Sequence, residues 1–389
     1  MTTQLLEGRW NETKDALLEG LQGSKRTTMA IILENTKKHL METASGGATA
    51  VGNVATLNRV ILPVIRRVMP TVIANEIVGV QPMTGPVAQI HTLRVRYADA
   101  VSATSGDSTT PGDEALSPFK IATAYSGTTA GKAASTSTLE GTPGNRINVQ
   151  ILKQVVEAKT RKLSARWTFE AAQDAQSMHG LDVEAEIMAA LAQEITVEID
   201  QEILASLRSL AGNSFNYNQS TVSGTATFVG DEHAALAVVI NRAANLIAQR
   251  TRRGAANWAV VSSEALTVLQ SATTSAFARS TEGTFEAPTN TKFVGTLNNA
   301  MKIYVDSYAN TGTSVLVGYK GSSEADAAAF YCPYVPLMSS GVVLDPATFE
   351  PVVGFMTRYG YAELTNTASS LGNAADYLET IGVSNLSFQ

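Results

Sequence analysis

Three glutamates, Glu194, Glu198 and Glu202, recur at every fourth position, a spacing that stacks their carboxylates along one face of a helix. Such a row could form a carboxylate pair for acid–base work or a cation site. A row of this kind on a long amphipathic helix is more often its solvated face, or one side of a salt bridge between subunits, and that reading is preferred here. The histidines, His39, His91, His179 and His233, are scattered with no partner at metal-ligand spacing, so a structural or surface role is expected. Cys332 is the single cysteine; it leaves no internal disulfide and no cysteine-based zinc site, and reads as a small buried apolar residue. Arg250, Arg252 and Arg253 cluster at a helix end, where three readings stay open: charge pairing within the chain, contact with a neighbouring subunit, and phosphate. No Gly-Lys-Ser/Thr phosphate loop, His-Glu-x-x-His pair or Gly-x-Ser-x-Gly elbow occurs, so no catalytic site and no cofactor are expected.

The elements that must carry these residues are legible as patterns. Ile187, Leu191, Ile195, Ile199, Ile203 and Leu207 form one continuous ridge, which predicts a helix over 182–211. At 1.5 Å per residue it makes a rod of about 40 Å, long enough to be the spine of a domain. A second helix is predicted over Glu232–Arg250 with Gly254 as its C′ residue, and the polar stretch 213–230 between the two reads as a hairpin. Strands are expected over Gln89–Tyr97 and Asn148–Thr160, flanking an excursion (99–144) of Ser, Thr, Gly and Ala too poor in large apolar residues to build its own core. After Gly254 the pattern alternates strands with short helices, and 365–389 looks mixed and short of core residues.

Upstream, Leu57, Val60, Ile61, Val64, Ile65 and Val68 mark an amphipathic helix that either kinks at Pro63 or begins there. Before it, Met29, Ile32, Leu33, Thr36 and Leu40 share a helical face, followed by the small-residue run Thr43–Ala50, a linker or extended arm. With 44% hydrophobic and only 16% charged residues, the chain falls well below the roughly one-quarter charged share usual for soluble domains, as extensive protein–protein contact would favour. A net charge of −6 excludes a global basic field for gripping nucleic acid. No apolar run reaches the roughly 20 residues of a membrane span, so no membrane partner is expected.

Particular stretches resemble the major capsid proteins of T-even-type tailed bacteriophages. They are Val64-Ile65-Arg66-Arg67-Val68-Met69-Pro70, Gly79-Val80-Gln81-Pro82-Met83-Thr84-Gly85-Pro86, Ala158-Lys159-Thr160-Arg161-Lys162-Leu163 and Arg250-Thr251-Arg252-Arg253-Gly254. Later come Tyr331-Cys332-Pro333-Tyr334-Val335-Pro336 and Phe349-Glu350-Pro351-Val352-Val353-Gly354-Phe355-Met356-Thr357-Arg358-Tyr359-Gly360. The resemblance implies an α+β chain of the HK97-like capsid fold. Its layout would be an N-terminal arm (1–56), the start of a peripheral domain (57–88) and an extended loop (89–160). The peripheral domain continues with the spine helix (161–254), followed by an axial domain (255–341), a return strand (342–364) and a C-terminal tail (365–389). The family carries a folded insertion domain in its extended loop, which the short, polar 99–144 is not expected to contain.

The resemblance further implies a structural role in the virion. Copies would assemble in the bacterial host cytoplasm into hexameric capsomers of a closed shell holding packaged double-stranded DNA without sequence preference. Partners would be vertex, portal, scaffold and decoration proteins. The alternative is the pentameric vertex protein of the same phages. Candidate subunit contacts are Arg66, Arg67, Arg250, Arg252 and Arg253. Family shell proteins also lose an N-terminal segment to a prohead protease that cuts after glutamate, and Leu40-Met41-Glu42 makes Glu42 the candidate cleavage residue for a propeptide of 1–42, ahead of Glu19 and Glu34.

Overall fold

The apolar ridge folds as the 28-residue helix Val183–Leu210, with Ile195, Ile199, Ile203 and Leu207 all at 1% exposure or less. Its start is fixed by Asp182, whose side chain accepts hydrogen bonds from the N–H groups of Glu184 (3.1 Å) and Ala185 (3.4 Å), satisfying donors that have no partner in a first turn. The computed structural model describes residues 10, 14–15, 18, 23, 26–35, 72–101, 108–115, 125, 135–141, 144–179, 182–222, 229–272, 277–279, 292–298, 300–309, 315–348, 350–365 and 373–386. The expected helix over 57–68 lies outside them.

Among the described residues the strands are, in chain order, β1 (Gly79–Val80), β2 (Val87–Tyr97), β3 (Ile147–Glu157), β4 (Lys159–Arg166) and β5 (Gly212–Asn218). They continue with β6 (Trp258–Ser262), β7 (Phe277–Arg279), β8 (Lys292–Leu297), β9 (Met301–Asp306), β10 (Val315–Gly318), β11 (Ala329–Leu344), β12 (Pro351–Glu363) and β13 (Leu378–Ser384). The chain forms an α+β structure of two units, one made of 1–88, 156–204 and 330–362, the other of 89–155, 205–329 and 363–389.

The first unit is built on a four-stranded sheet in the order β1-β11-β12-β4. β12 and β4 run antiparallel from Tyr359↔Lys159 to Val352↔Arg166. The two-residue period of a strand sends Val353, Phe355, Thr357 and Tyr359 to one buried face, which Arg161 shares. The long helix covers that face. Its Asp200, fully buried, accepts from the Ile73 N–H at 2.9 Å and so caps the short helix Ala74–Ile77.

The second unit holds a seven-stranded mixed sheet, β5-β13-β10-β6-β9-β8-β7. The helix Val229–Thr251 lays Leu236, Ile240, Ala243 and Ile247 on a core completed by Val261, Ile303, Val317 and Ile381. The helix Ser263–Ser271 joins the same core, and it starts where the Ser262 hydroxyl accepts from Ala265 N–H. Gly318 lies so close to Trp258 that a Cβ there would fall 2.1 Å from the indole ring, so only glycine fits.

The structure corrects three expectations. Asn148–Thr160 is not one strand: it breaks at Ala158, whose N–H donates to Pro86 O (2.9 Å), so that β3 pairs with β2 while β4 joins the other unit's sheet. In the stretch 213–230 the described residues 213–218 belong to β5, which pairs in parallel with the distant β13 and not with a neighbouring hairpin strand. That pairing places β13 inside the sheet with Leu378 and Ile381 at 0% exposure, so the C-terminal stretch is core-forming.

The end of the helix Val229–Thr251 is the fourth difference. Arg252, not Gly254, adopts the left-handed conformation (φ 52°), its N–H bonding Ala248 O at 2.7 Å. Gly254 instead lies close under the Tyr319 ring, which stands 3.0 Å from where a Cβ would be and would have to shift to admit one.

Candidate interaction surface

The glutamate row meets a specific partner. Arg161 donates from Nη1 to Glu198 (2.8 Å), from Nη2 to Glu202 (2.5 Å) and from Nε to the Tyr359 hydroxyl (2.6 Å). The Tyr359 hydroxyl in turn donates to Glu202. One guanidinium thus ties two successive turns of the long helix to β4 and β12, while Glu194 stays exposed. This is a clamp inside one unit, and among the described residues no group of three or more His, Cys, Asp or Glu could hold a metal ion.

The clamp has a pH signature. Partial burial pushes the Glu202 carboxyl up, but hydrogen bonds from Tyr359 and Arg161, with the charges of Arg161 and Lys159, outweigh it and hold Glu202 below the ordinary 4.5. A folded value below the unfolded one means that Glu202 contributes its full stabilisation above about pH 4.5 and loses it as the pH falls through the depressed value. The melting temperature of the unassembled wild-type chain is therefore expected to fall more steeply in that acid range than that of Glu202→Gln. Parallel curves would mean that solvent screens the cluster.

The candidate arginines fall in different settings. Arg250 Nη1 donates to Glu379 at 2.8 Å, and Glu379, fully buried, also accepts from Ser214 N–H at 2.6 Å. Arg253 pairs with Asp326. Arg252 is exposed at the turn. Arg66, Arg67 and Glu42, like His39, lie outside the described residues. Of the alternative cleavage residues, Glu34 is bonded by Lys14 at 2.9 Å, and Glu19 is outside the description. His91 is exposed on β2, whereas His233 is buried with Nδ1 2.5 Å from Ser271 Oγ. Burial pushes the Cys332 thiol up to about 11.

Among the described residues, several large apolar side chains stand open on a part of the chain that the sequence marked only as two strands. β2 and β3 form a ribbon of their own. Ala98 N bonds Arg146 O at one end and Ala158 N bonds Pro86 O at the other, and equal lengths of chain between these bonds put the strands in unbroken antiparallel register. Leu93 therefore stands opposite Ile151 and Val95 opposite Val149. On this face Leu93 is 69%, Ile151 66% and Val149 66% exposed, with Val155 and Val87 also open.

The free edge of β2 is closed at its far end, where residues 113–115 pair with it through Ala115 N→Val95 O and Tyr97 N→Asp113 O, and on the other face Arg94, 7% exposed, bonds Glu114 at 2.8 Å. Asp99 and Arg146 close the base of the excursion with a pair at 3.1 Å, and the Tyr125 hydroxyl donates to Arg146 O. The alternation of Val149, Ile151 and Val155 was the signal for the open apolar face, but a period of two does not say whether a face is covered by the same chain.

Residues 54–383 match the family described as Major capsid protein Gp23. The major capsid protein of Vibrio phage KVP40 is 31% identical over 421 aligned residues, which cover 85% of this chain and 82% of that one. The major capsid protein of Enterobacteria phage T4 is 30% identical over 398, covering 79% of this chain and 75% of its own. Among solved structures, a chain of Microbacterium phage Oxtober96 superposes with a TM-score of 0.46 at 10% identity, over 80% of this chain and 90% of that one.

Proposed function

We propose, from the premise that this chain belongs to the Major capsid protein Gp23 family and is a structural subunit of a phage head shell, that its copies form hexamers which tile a closed shell around packaged double-stranded DNA. The observation that carries the assembly reading is the open face of the β2–β3 ribbon. A two-stranded ribbon is marginal alone in water, and this one leaves a row of branched apolar side chains uncovered along its length. A second copy that covers Leu93, Val149 and Ile151 removes that surface from water. Closure multiplies the gain, because each copy both covers and is covered.

In this reading 89–160 is the extended loop, the long helix is the spine of a peripheral domain (161–254 with 342–364), and 255–341 is the axial domain of an HK97-like subunit. The protein needs no cofactor and has no catalytic role. Vertex, portal, scaffold and decoration proteins are its partners, and the exposed Arg252, with Arg66 and Arg67, contributes to contacts between copies. A prohead protease that cuts after Glu42 would free residues 1–42.

Electron cryomicroscopy of the purified protein and of virions is the test. Hexamers that tile a closed shell are expected, together with an intact mass for the virion protein that begins at Thr43. Fivefold vertices alone would make this the pentameric vertex protein, a persistent monomer would overturn the shell assembly, and an intact mass of 1–389 would remove the cleavage.

A further inference from the structure

One polar pair interrupts the open apolar face of the β2–β3 ribbon. The register that sets Leu93 opposite Ile151 also sets His91 opposite Lys153, two residues further along both strands. Ala98 bonds Arg146 and Ala158 bonds Pro86, so the even-numbered residues of β2 hold the hydrogen-bonded positions and the odd-numbered ones the positions between them. Pairs of the second kind bring their Cα atoms to about 4.5 Å and their side chains closest together. His91 and Lys153 form such a pair, and both are exposed.

Their surroundings are apolar or uncharged. Gln89 and Leu93 flank His91 along β2, and Ile151 and Val155, 66% and 49% exposed, flank Lys153 along β3. The one carboxylate on this face of the two strands is Glu157, opposite Val87 and four residues beyond Lys153, which is about 13 Å along a strand. Neither His91 nor Lys153 makes a hydrogen bond or an ion pair with a described residue.

We propose that His91 is a proton-controlled gate on assembly: its neutral ring lets a neighbouring copy cover the ribbon, and its protonation blocks that contact. The inference rests on the shell reading, in which the ribbon face is a contact between copies. A neutral imidazole offers an acceptor nitrogen, to which the Lys153 ammonium can donate once water has left. A protonated imidazole offers only donors and sets two like charges directly opposite each other. In the free copy, water screens that repulsion. Covering the face removes the water, and the repulsion at the same separation grows about fourfold as the effective dielectric constant falls from roughly 80 to roughly 20. Assembly therefore draws on the unprotonated ring and releases a proton wherever the free copy holds one. Its strength rises with pH across the range of about 5 to 8 in which histidine changes charge. The Glu202 clamp loosens only below about pH 4.5, so the two acid effects fall in separate windows.

Four full-length chains test the gate: wild type, His91→Gln, His91→Arg and Lys153→Gln. Each is assembled at about pH 8, 7, 6 and 5.5, shells are counted by light scattering and negative-stain microscopy, and the unassembled chains are melted at the same pH values. The positions are exposed, so the four chains should melt alike. The wild-type shell yield is expected to fall at least about tenfold from pH 8 to pH 5.5. The ratio of the yields of His91→Gln at the two ends of that range should stay near one. His91→Arg, charged throughout, should assemble poorly at every pH, and Lys153→Gln should show a smaller fall than wild type. His39, His179 and His233 are unchanged in all four chains. A fall that persists in His91→Gln would therefore place the proton elsewhere and overturn the gate, as would a wild-type yield indifferent to pH. Failure of the wild-type chain to form shells at any pH would instead strike the shell reading.

Discussion

Ile151→Asp is expected to leave the unassembled chain folded and to reduce shell yield by at least about 100-fold. The residue is 66% exposed, so the substitution removes little burial from the free subunit, and the melting temperature should change by no more than about 0.5 kcal/mol of stability implies. In the shell the same position is asked to lose its water. Full burial of an isoleucine side chain is worth about 1.5–3 kcal/mol, and an unpaired carboxylate in its place adds a desolvation cost of comparable size or more. A loss of roughly 3 kcal/mol at one contact is already about 100-fold in its equilibrium constant, and closure demands that contact of every copy. Leu93→Asp, directly across the ribbon, should act alike. Light scattering and negative-stain microscopy report the yield, and circular dichroism reports the fold. Wild-type yield of closed shells from Ile151→Asp would show that the ribbon face is not an assembly surface.

Arg250→Ala is expected to act on the fold itself, costing about 3–5 kcal/mol in urea unfolding of the unassembled chain. Glu379 is fully buried between β5 and β10, and removing Arg250, whose side chain is 30% exposed, leaves that carboxylate without its cationic partner. The double variant Arg250→Met/Glu379→Gln removes the buried charge and keeps an amide oxygen for Ser214 N–H, so most of the loss should return. Arg252→Ala, two residues away and exposed, should stay within about 0.5 kcal/mol of wild type. Equal effects of Arg250→Ala and Arg252→Ala would mean that the Glu379 pair carries no weight. Three arginines that look alike in sequence thus differ in what they face.

Local signals announced the elements whose stability is local. The ridge Ile187–Leu207 repeats over five turns and ends at Gly212, so the long helix was readable almost to the residue. The helix Val229–Thr251 was readable too, except at its end, where Arg252 took a conformation that glycine usually supplies. What the sequence concealed depends on pairing across distance. β5 is polar and looked like a turn because its partner, β13, lies more than 160 residues away in the chain, as Glu379↔Gly212 records. β13 in turn looked too poor for a core because Leu378, Ile381 and Val383 are its only buried large apolar residues, and they are divided between its two faces. Glu198 and Glu202 gave the clamp by type and spacing, but nothing upstream singled out Arg161 or Tyr359 as the groups that hold them. The subunit surface was the least readable part, since Leu93 and Ile151 have the same pattern whether their own chain or another covers them.

The sole cysteine, sealed beneath the first unit's sheet in β11, has a practical consequence. A particle of many such chains would present no native thiol to its surroundings, so passage from a reducing to an aerated medium would neither stitch particles together nor age them through sulfur oxidation. Any cysteine introduced at an exposed position would then be the single addressable sulfur per subunit, turning the shell into a regularly spaced array for chemical attachment.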